Sequence, residues 1–237
     1  MKRSLRTGLR FLILLVLIPL TLYFCAKADR KYYLSSLVII VLTLSAFFLH
    51  FENRRPQARE MVVLAVMSAL AVASRAVFAA IPHFKPMMGI VMLTGIAFGP
   101  EAGFLCGAVS GFVSNFIFGQ GPWTPWQMFA YGVGGLLAGL FAQWGILKKV
   151  PARGSDFAVL GIFGFLSIVL IVGPLLDTST LFMMVNTVNS TSAAAIYLSG
   201  LPVNLVHGVA TLVTVVLAGK PLLEKLQRIQ IKYGMME

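Results

Sequence analysis

The feature that most constrains this chain is a succession of apolar runs, most of them close to the roughly 20 residues an α-helix needs to cross a bilayer. They lie at about 11–26, 33–51, 61–80, 87–99, 102–118, 127–147, 157–176 and 194–218. In lipid every backbone polar group has to be satisfied inside its own segment, so each run reads as a helix. With 58% hydrophobic and 11% charged residues among 237, the chain also has too little polar surface to coat a soluble globule. The expectation is an all-α integral membrane protein with about eight transmembrane helices. The run at 87–99 is short, holds Gly89 and Gly95 and stops at Pro100, so it is expected to be tilted, broken or covered by neighbours.

Basic residues set the orientation. Lys2, Arg3, Arg6 and Arg10 precede the first run, and Arg54, Arg55 and Arg59 precede the third. Lys148, Lys149 and Arg153 separate the sixth from the seventh, and Lys220, Lys225, Arg228 and Lys232 close the last. If every run crosses, all four clusters share one side, expected to be the cytoplasm of a prokaryotic cell, with both termini there. Lys27, Arg30 and Lys31 depart from the rule. The net charge of +11 therefore reads as topology and attraction to acidic lipid, not as nucleic-acid binding. The first run also fits a signal peptide; it is read here as a retained helix. Cys25 and Cys106 have no metal-ligand spacing, so no metal site is indicated and both are read as packing residues.

The polar stretch FENRRPQARE, Phe51 to Glu60, carries Pro56 and breaks any continuous helix. It divides residues 1–58, a two-helix membrane hairpin with its linker, from residues 59–237, a six-helix core with a C-terminal tail.

No phosphate-cradling Gly-x-x-x-x-Gly-Lys-Ser/Thr is present, so ATP hydrolysis by this chain is not expected. The eight acidic residues fall at run ends, in loops or at the termini. That pattern argues against a transporter driven by an intramembrane carboxylate. No cofactor is implied.

Small residues recur at helical spacing in Ala65, Ala69 and Ala73, in Gly103, Gly107 and Gly111, and in Gly135 and Gly139. The glycine rows read as internal packing. The alanine row reads either as packing or as a face on which a partner subunit docks. Arg75 is the only charge inside a core run, about 21 Å along the helix from Met61 at about 1.5 Å per residue. It points well away from the alanines and either snorkels to the outer interface or faces an interior cavity. Asn204 and His207 share a helix face near mid-membrane, where each needs a hydrogen-bond partner. Asn115 ends its run just before an outer loop and is placed to meet a solute. Asp177 to Ser192 is expected to be a polar outer loop carrying Asn186 and Asn189, either simply solvated or a lid over an outward-facing site. Between the fifth and sixth runs lies GQGPWTPWQMF, Gly119 to Phe129. Trp123 and Trp126 suit an interfacial aromatic belt. A belt, however, needs neither the stiffness of Pro122 and Pro125 nor the turns of Gly119 and Gly121. The reading favoured is a rigid aromatic site for a flat organic ligand, with Gln127 and Tyr131 as polar contacts below it.

From about Arg59 to Gly219 the chain resembles the substrate-binding, or S, component of an energy-coupling factor (ECF) vitamin transporter. The likeness rests on the alanines of VVLAVMSALAVASRA, on the run PHFKPMMGIVMLTGIAFGPEAGFLCGAVSGFVSNFIFGQGPWTPWQMFAYG and on the six-helix count. It covers roughly two-thirds of the chain. The resemblance implies a vitamin-like solute bound near the outer face. On this chain the matching positions are His83 to Pro86, with Phe84 and Lys85, then Gly119 to Trp126 and the Asn186 to Ser192 region. It implies that Ala65, Ala69 and Ala73 contact a transmembrane coupling subunit, and that two separate ATPase subunits hydrolyse ATP. It further implies that the S component topples in the membrane to release its cargo. The N-terminal hairpin departs from the family's six-helix pattern. Among S components, PHFKP and GPWTPWQ look closest to members associated with cobalamin or its precursors; another vitamin or a queuosine precursor fits the same frame.

Two other classes stay open. Ser110 and His207 are similar to the serine-histidine pair of intramembrane rhomboid proteases, although Ala108 stands where that motif has glycine. A structural membrane subunit without any ligand is the third reading.

Overall fold

The computed structural model describes residues 3–27, 37–42, 45, 58–147, 154–185 and 189–234, which form helices and turns with no strand among them. Helix α1 (Arg3–Leu12) passes through a π turn at Ile13–Leu17 into α2 (Ile18–Lys27). The core follows as α3 (Ala58–Val77), α4 (Met87–Phe98), α5 (Pro100–Phe118) and α6 (Thr124–Gln143). Then α7 (Gly154–Ser167) runs through a π turn at Ile168–Val172 into α8 (Gly173–Met184), and α9 (Ser190–Tyr233) closes the chain. Most of the run at 33–51 lies outside the described residues.

Among the described residues, Ala58–Val77, Pro100–Phe118, Gly154–Met184 and Ser190–Tyr233 are long and apolar enough to cross a membrane. Gly8–Phe24 and Met87–Phe98 are apolar but shorter. Helix α6 has 20 residues, yet four glycines and two glutamines lower its hydropathy. The chain is thus a multi-helix membrane protein.

The short run at 87–99 has a clear physical cause. Every residue of α4 except Ala97 is buried, so neighbouring helices, not lipid, cover it. Gly99, at φ +98°, turns the chain in a conformation only glycine adopts easily, and Pro100 opens α5 where its missing N–H costs nothing. Helices α4, α5 and α6 approach through glycine. A Cβ on Gly95 would run into the Gly135 carbonyl oxygen, and one on Gly107 into that of Tyr131.

The polar outer loop expected at Asp177 to Ser192 is mostly helix. Helix α8 continues to Met184, and the Thr178 and Thr180 hydroxyls are accommodated in it by bonding back to the carbonyls of Pro174 and Leu176. That places Asp177 inside a helix rather than at a run end, which corrects the expectation that no acid lies within a span. Helix α9, at 44 residues, is about 66 Å long at about 1.5 Å per residue, over twice a bilayer's hydrocarbon core. It packs antiparallel along α7 and α8, with Gly164 against Thr211, Gly173 against Asn204 and Gly200 against Asp177.

One end of the bundle carries a basic group. Arg10 pairs with Glu101 at 2.5 Å, Arg59 lies over the Tyr233 ring at 5.0 Å, and Gln230 donates to the Ala97 carbonyl at 2.8 Å. The other end carries the turn from α5 into α6 and its two tryptophans. Ile13, Leu14, Ile18 and Leu22 pack with Phe104, Ala108, Met128 and Phe129, so the N-terminal helices lie on α5 and α6. Ala65, Ala69 and Ala73 stay exposed on α3.

Candidate functional site

At the tryptophan end, α3, α5 and α6 hold a buried polar network. Arg75 is 7% exposed and does not snorkel. Its Nη1 donates to Ser114 Oγ at 2.5 Å and to Asn115 Oδ1 at 3.1 Å. The Phe118 ring covers the guanidinium at 4.4 Å. Asn115 Nδ2 then donates to Thr124 Oγ1 at 2.9 Å and to Gln127 Oε1 at 2.8 Å. Thr124 donates in turn to Gln120 Oε1 at 2.9 Å and accepts from the Gly121 N–H at 3.2 Å.

The loop that raised the question of rigidity is shorter than its sequence suggested, because α6 begins at Thr124 and takes in Trp126 and Gln127. Each unusual residue has its own use. Gly119 sits at φ +98°. Gly121 leaves the space that the Trp123 ring fills, since a Cβ there would collide with it. Pro125 stands in the first turn of the helix. Trp123 is exposed, with its Nε1 donating to the Gly119 carbonyl at 3.4 Å, whereas Trp126 is partly buried and stacks on Phe182 of α8 at 5.9 Å.

One layer deeper, the Tyr131 ring meets the His207 ring edge-on at 6.4 Å. Tyr131 Oη, His207 Nε2 and Arg75 Nε are buried and have no hydrogen-bond partner among the described residues. Arg75, Lys85 and His83 all lie within electrostatic range of His207. A buried polar atom left without a partner costs about 1–3 kcal/mol, so these three atoms hold unused hydrogen-bonding capacity within the bundle. The bond expected for His207 within the bundle is thus not made at Nε2, while Asn204 does bond across helices, donating to Asp177 Oδ2 at 2.8 Å.

The other sequence candidates stand apart from this cluster. Phe84 packs on Phe78 at 5.4 Å and lines an apolar cavity of about 560 Å³ between α3, α4 and α9. The hydroxyls of Ser74 and Thr214 on that cavity's wall are spent on the carbonyls of Ala71 and Ala210, so it offers few free polar groups to orient a solute. Asn189 caps α9 in a reciprocal capping box with Ser192, which makes it part of the helix start. Asn186 lies outside the described residues. Ser110 is buried and donates to the Ser68 carbonyl at 3.4 Å. No hydrogen bond joins it to His207, so the protease pair is not assembled.

Sequence reasoning passed over Ser114 and Phe118, and did not single out Thr124 within Gly119 to Trp126 or Phe182 within Asp177 to Ser192. Ser114 stands next to Asn115, and Thr124 sits between two prolines and tryptophans. Either position could have drawn attention; Phe182 gave no local signal.

The sequence model of the family described as "ECF-type riboflavin transporter, S component" matches residues 56–228. The chain is also similar to a UPF0397 protein of Vibrio atlanticus (strain LGP32) and to one of Aliivibrio fischeri (strain MJ11). Each is 33% identical over 89 residues, or 35% of this chain and 48% of the relative. The chain thus spans about half the length of the curated relatives it matches. No solved structure matches it.

Proposed function

The chain belongs to the family of ECF-type riboflavin transporter S components, and from that premise we propose that it is the membrane-embedded substrate-binding subunit of an importer, not an enzyme. It captures a vitamin-sized solute at the tryptophan end of the bundle. The observation that carries this reading is that Arg75 Nε, Tyr131 Oη and His207 Nε2 are buried and find no partner among the described residues, with Tyr131 and His207 in ring contact and Arg75 joined to the Asn115–Gln127 network. Phe118 lies over the Arg75 guanidinium and Tyr131 meets His207, while Trp126 stacks on Phe182 at the same end of the bundle; aromatic surface of this kind suits a planar heterocycle with a polar edge.

Residues 59–237 form the binding core, and the N-terminal hairpin braces α5 and α6. The distribution of basic residues orients the tryptophan end outward and both termini towards the cytoplasm of a prokaryotic cell. Transport requires a transmembrane coupling subunit and two ATPase subunits, and the exposed face of Ala65, Ala69 and Ala73 is where the coupling subunit docks.

For the cargo, the family's description favours a flavin-like ring. The PHFKP and GPWTPWQ segments keep cobalamin and cobinamide as the competing cargo. The test is the melting temperature of the purified protein against a vitamin panel containing all three. A ligand that binds only the folded state adds about 2.7 kcal/mol at 100-fold excess over its Kd. A shift with one compound, lost in Trp126→Ala, supports the reading and identifies the cargo. A folded protein that responds to none overturns it.

A further inference from the structure

We propose that the solute carries a carboxylate, held edge-on by Arg75; this rests on the binding-subunit reading and sets an acid-bearing cargo against riboflavin, cobalamin and cobinamide, none of which carries one. The guanidinium has five N–H donors in a rigid fork. Its Nη1 corner is occupied by Ser114 and Asn115, and Phe118 covers one face. The remaining edge, formed by Nε and Nη2, donates to nothing among the described residues. Nε on that edge is buried and orphaned. Two parallel N–H groups on such an edge match the two oxygens of a carboxylate.

Charge points the same way. Both partners of Arg75 are neutral side chains, and no carboxylate among the described residues lies within ion-pair distance of it. A buried charge is expensive unless paired. Lys85 also lies within electrostatic range of His207, and the carboxylate of Asp177 is engaged by Asn204 rather than by Arg75. A ligand anion would answer both the orphaned edge and the charge.

The experiment uses the full chain in lipid nanodiscs and matched acid and neutral probes: nicotinate with nicotinamide, biotin with its amide, pantothenate with pantothenol, and lipoate with lipoamide. Riboflavin serves as a flavin without a carboxylate. Melting shifts and titration calorimetry are read on the native protein, Arg75→Gln and Arg75→Lys. The expected result is that the acid of one pair binds at least about 30-fold more tightly than its neutral twin, the scale of removing one partner from a buried charge pair. Arg75→Gln should erase that preference. Arg75→Lys, which keeps the charge but not the fork, should keep under about a tenth of the affinity; it decides the matter if Arg75→Gln does not fold. Shifts with neutral probes alone, or an acid preference that survives in both variants, overturn the carboxylate and leave the importer standing. Silence from every probe overturns both.

Discussion

The backbones of Gly103 and Gly135 meet with no room for a side chain on either. A Cβ on Gly103 would run into the Gly135 carbonyl oxygen, and a Cβ on Gly135 into that of Gly103. Without water to drive apolar surfaces together, helices in a bilayer associate through such close packing. Gly103→Ala or Gly135→Ala should therefore destabilise the fold by about 1–3 kcal/mol, the usual cost of overpacking. Gly8→Ala is the contrast: nothing lies within 4 Å of its added methyl, and relief of glycine's poor helix propensity should make it neutral or mildly stabilising. Thermal melts in one detergent compare the three.

Thr124 organises the turn between α5 and α6. Its hydroxyl accepts from Asn115 and the Gly121 N–H and donates to Gln120. Thr124→Val keeps the shape and removes all three bonds, leaving a buried N–H unsatisfied at a cost of about 1–3 kcal/mol. Hydrogen exchange should show Gly119 to Trp123 opening faster, while the basic end keeps its protection.

How much of this was legible in the sequence depends on the kind of signal. The helices were legible because lipid permits little else, and the weak run at 87–99 was recognisable from its length. Its shortness allowed tilting, breaking or covering by neighbours, and the structure shows covering; periodicity alone could not choose, since an apolar residue reads alike against lipid or leucine. The end of α8 was misread for a related reason: Thr178 and Thr180 look like loop residues, yet their hydroxyls bond back to their own helix. Arg75 and Asn115 were picked out singly, as costly groups in an apolar run. Their bond to each other, and the roles of Ser114 and Phe118, depend on helix rotation and packing that one sequence does not encode locally.

The Arg10–Glu101 ion pair ties the N-terminal helix to the start of α5 at 2.5 Å, with both side chains largely shielded from solvent. Exposed pairs contribute little, but partial burial weakens screening. A double-mutant cycle with Arg10→Ala and Glu101→Gln should give a coupling energy of about 1–3 kcal/mol. A value near zero would mean that the apolar contacts of Ile13, Leu14 and Ile18 alone seat the helix.

The proposed docking face offers a way to separate binding from transport. Ala65, Ala69 and Ala73 are exposed on α3, whereas Arg75 on the same helix is buried. Ala69→Leu therefore adds bulk where another backbone would approach, without touching the polar cluster. Co-purification with the coupling subunit should fall by at least tenfold, while the ligand-induced melting shift stays within error of the native value. Val159→Leu, at an exposed position on α7, is the control and should leave both unchanged. Were Ala69→Leu to keep full association, docking would have to be sought on another face, with the neighbouring apolar cavity between α3, α4 and α9 the next surface to alter.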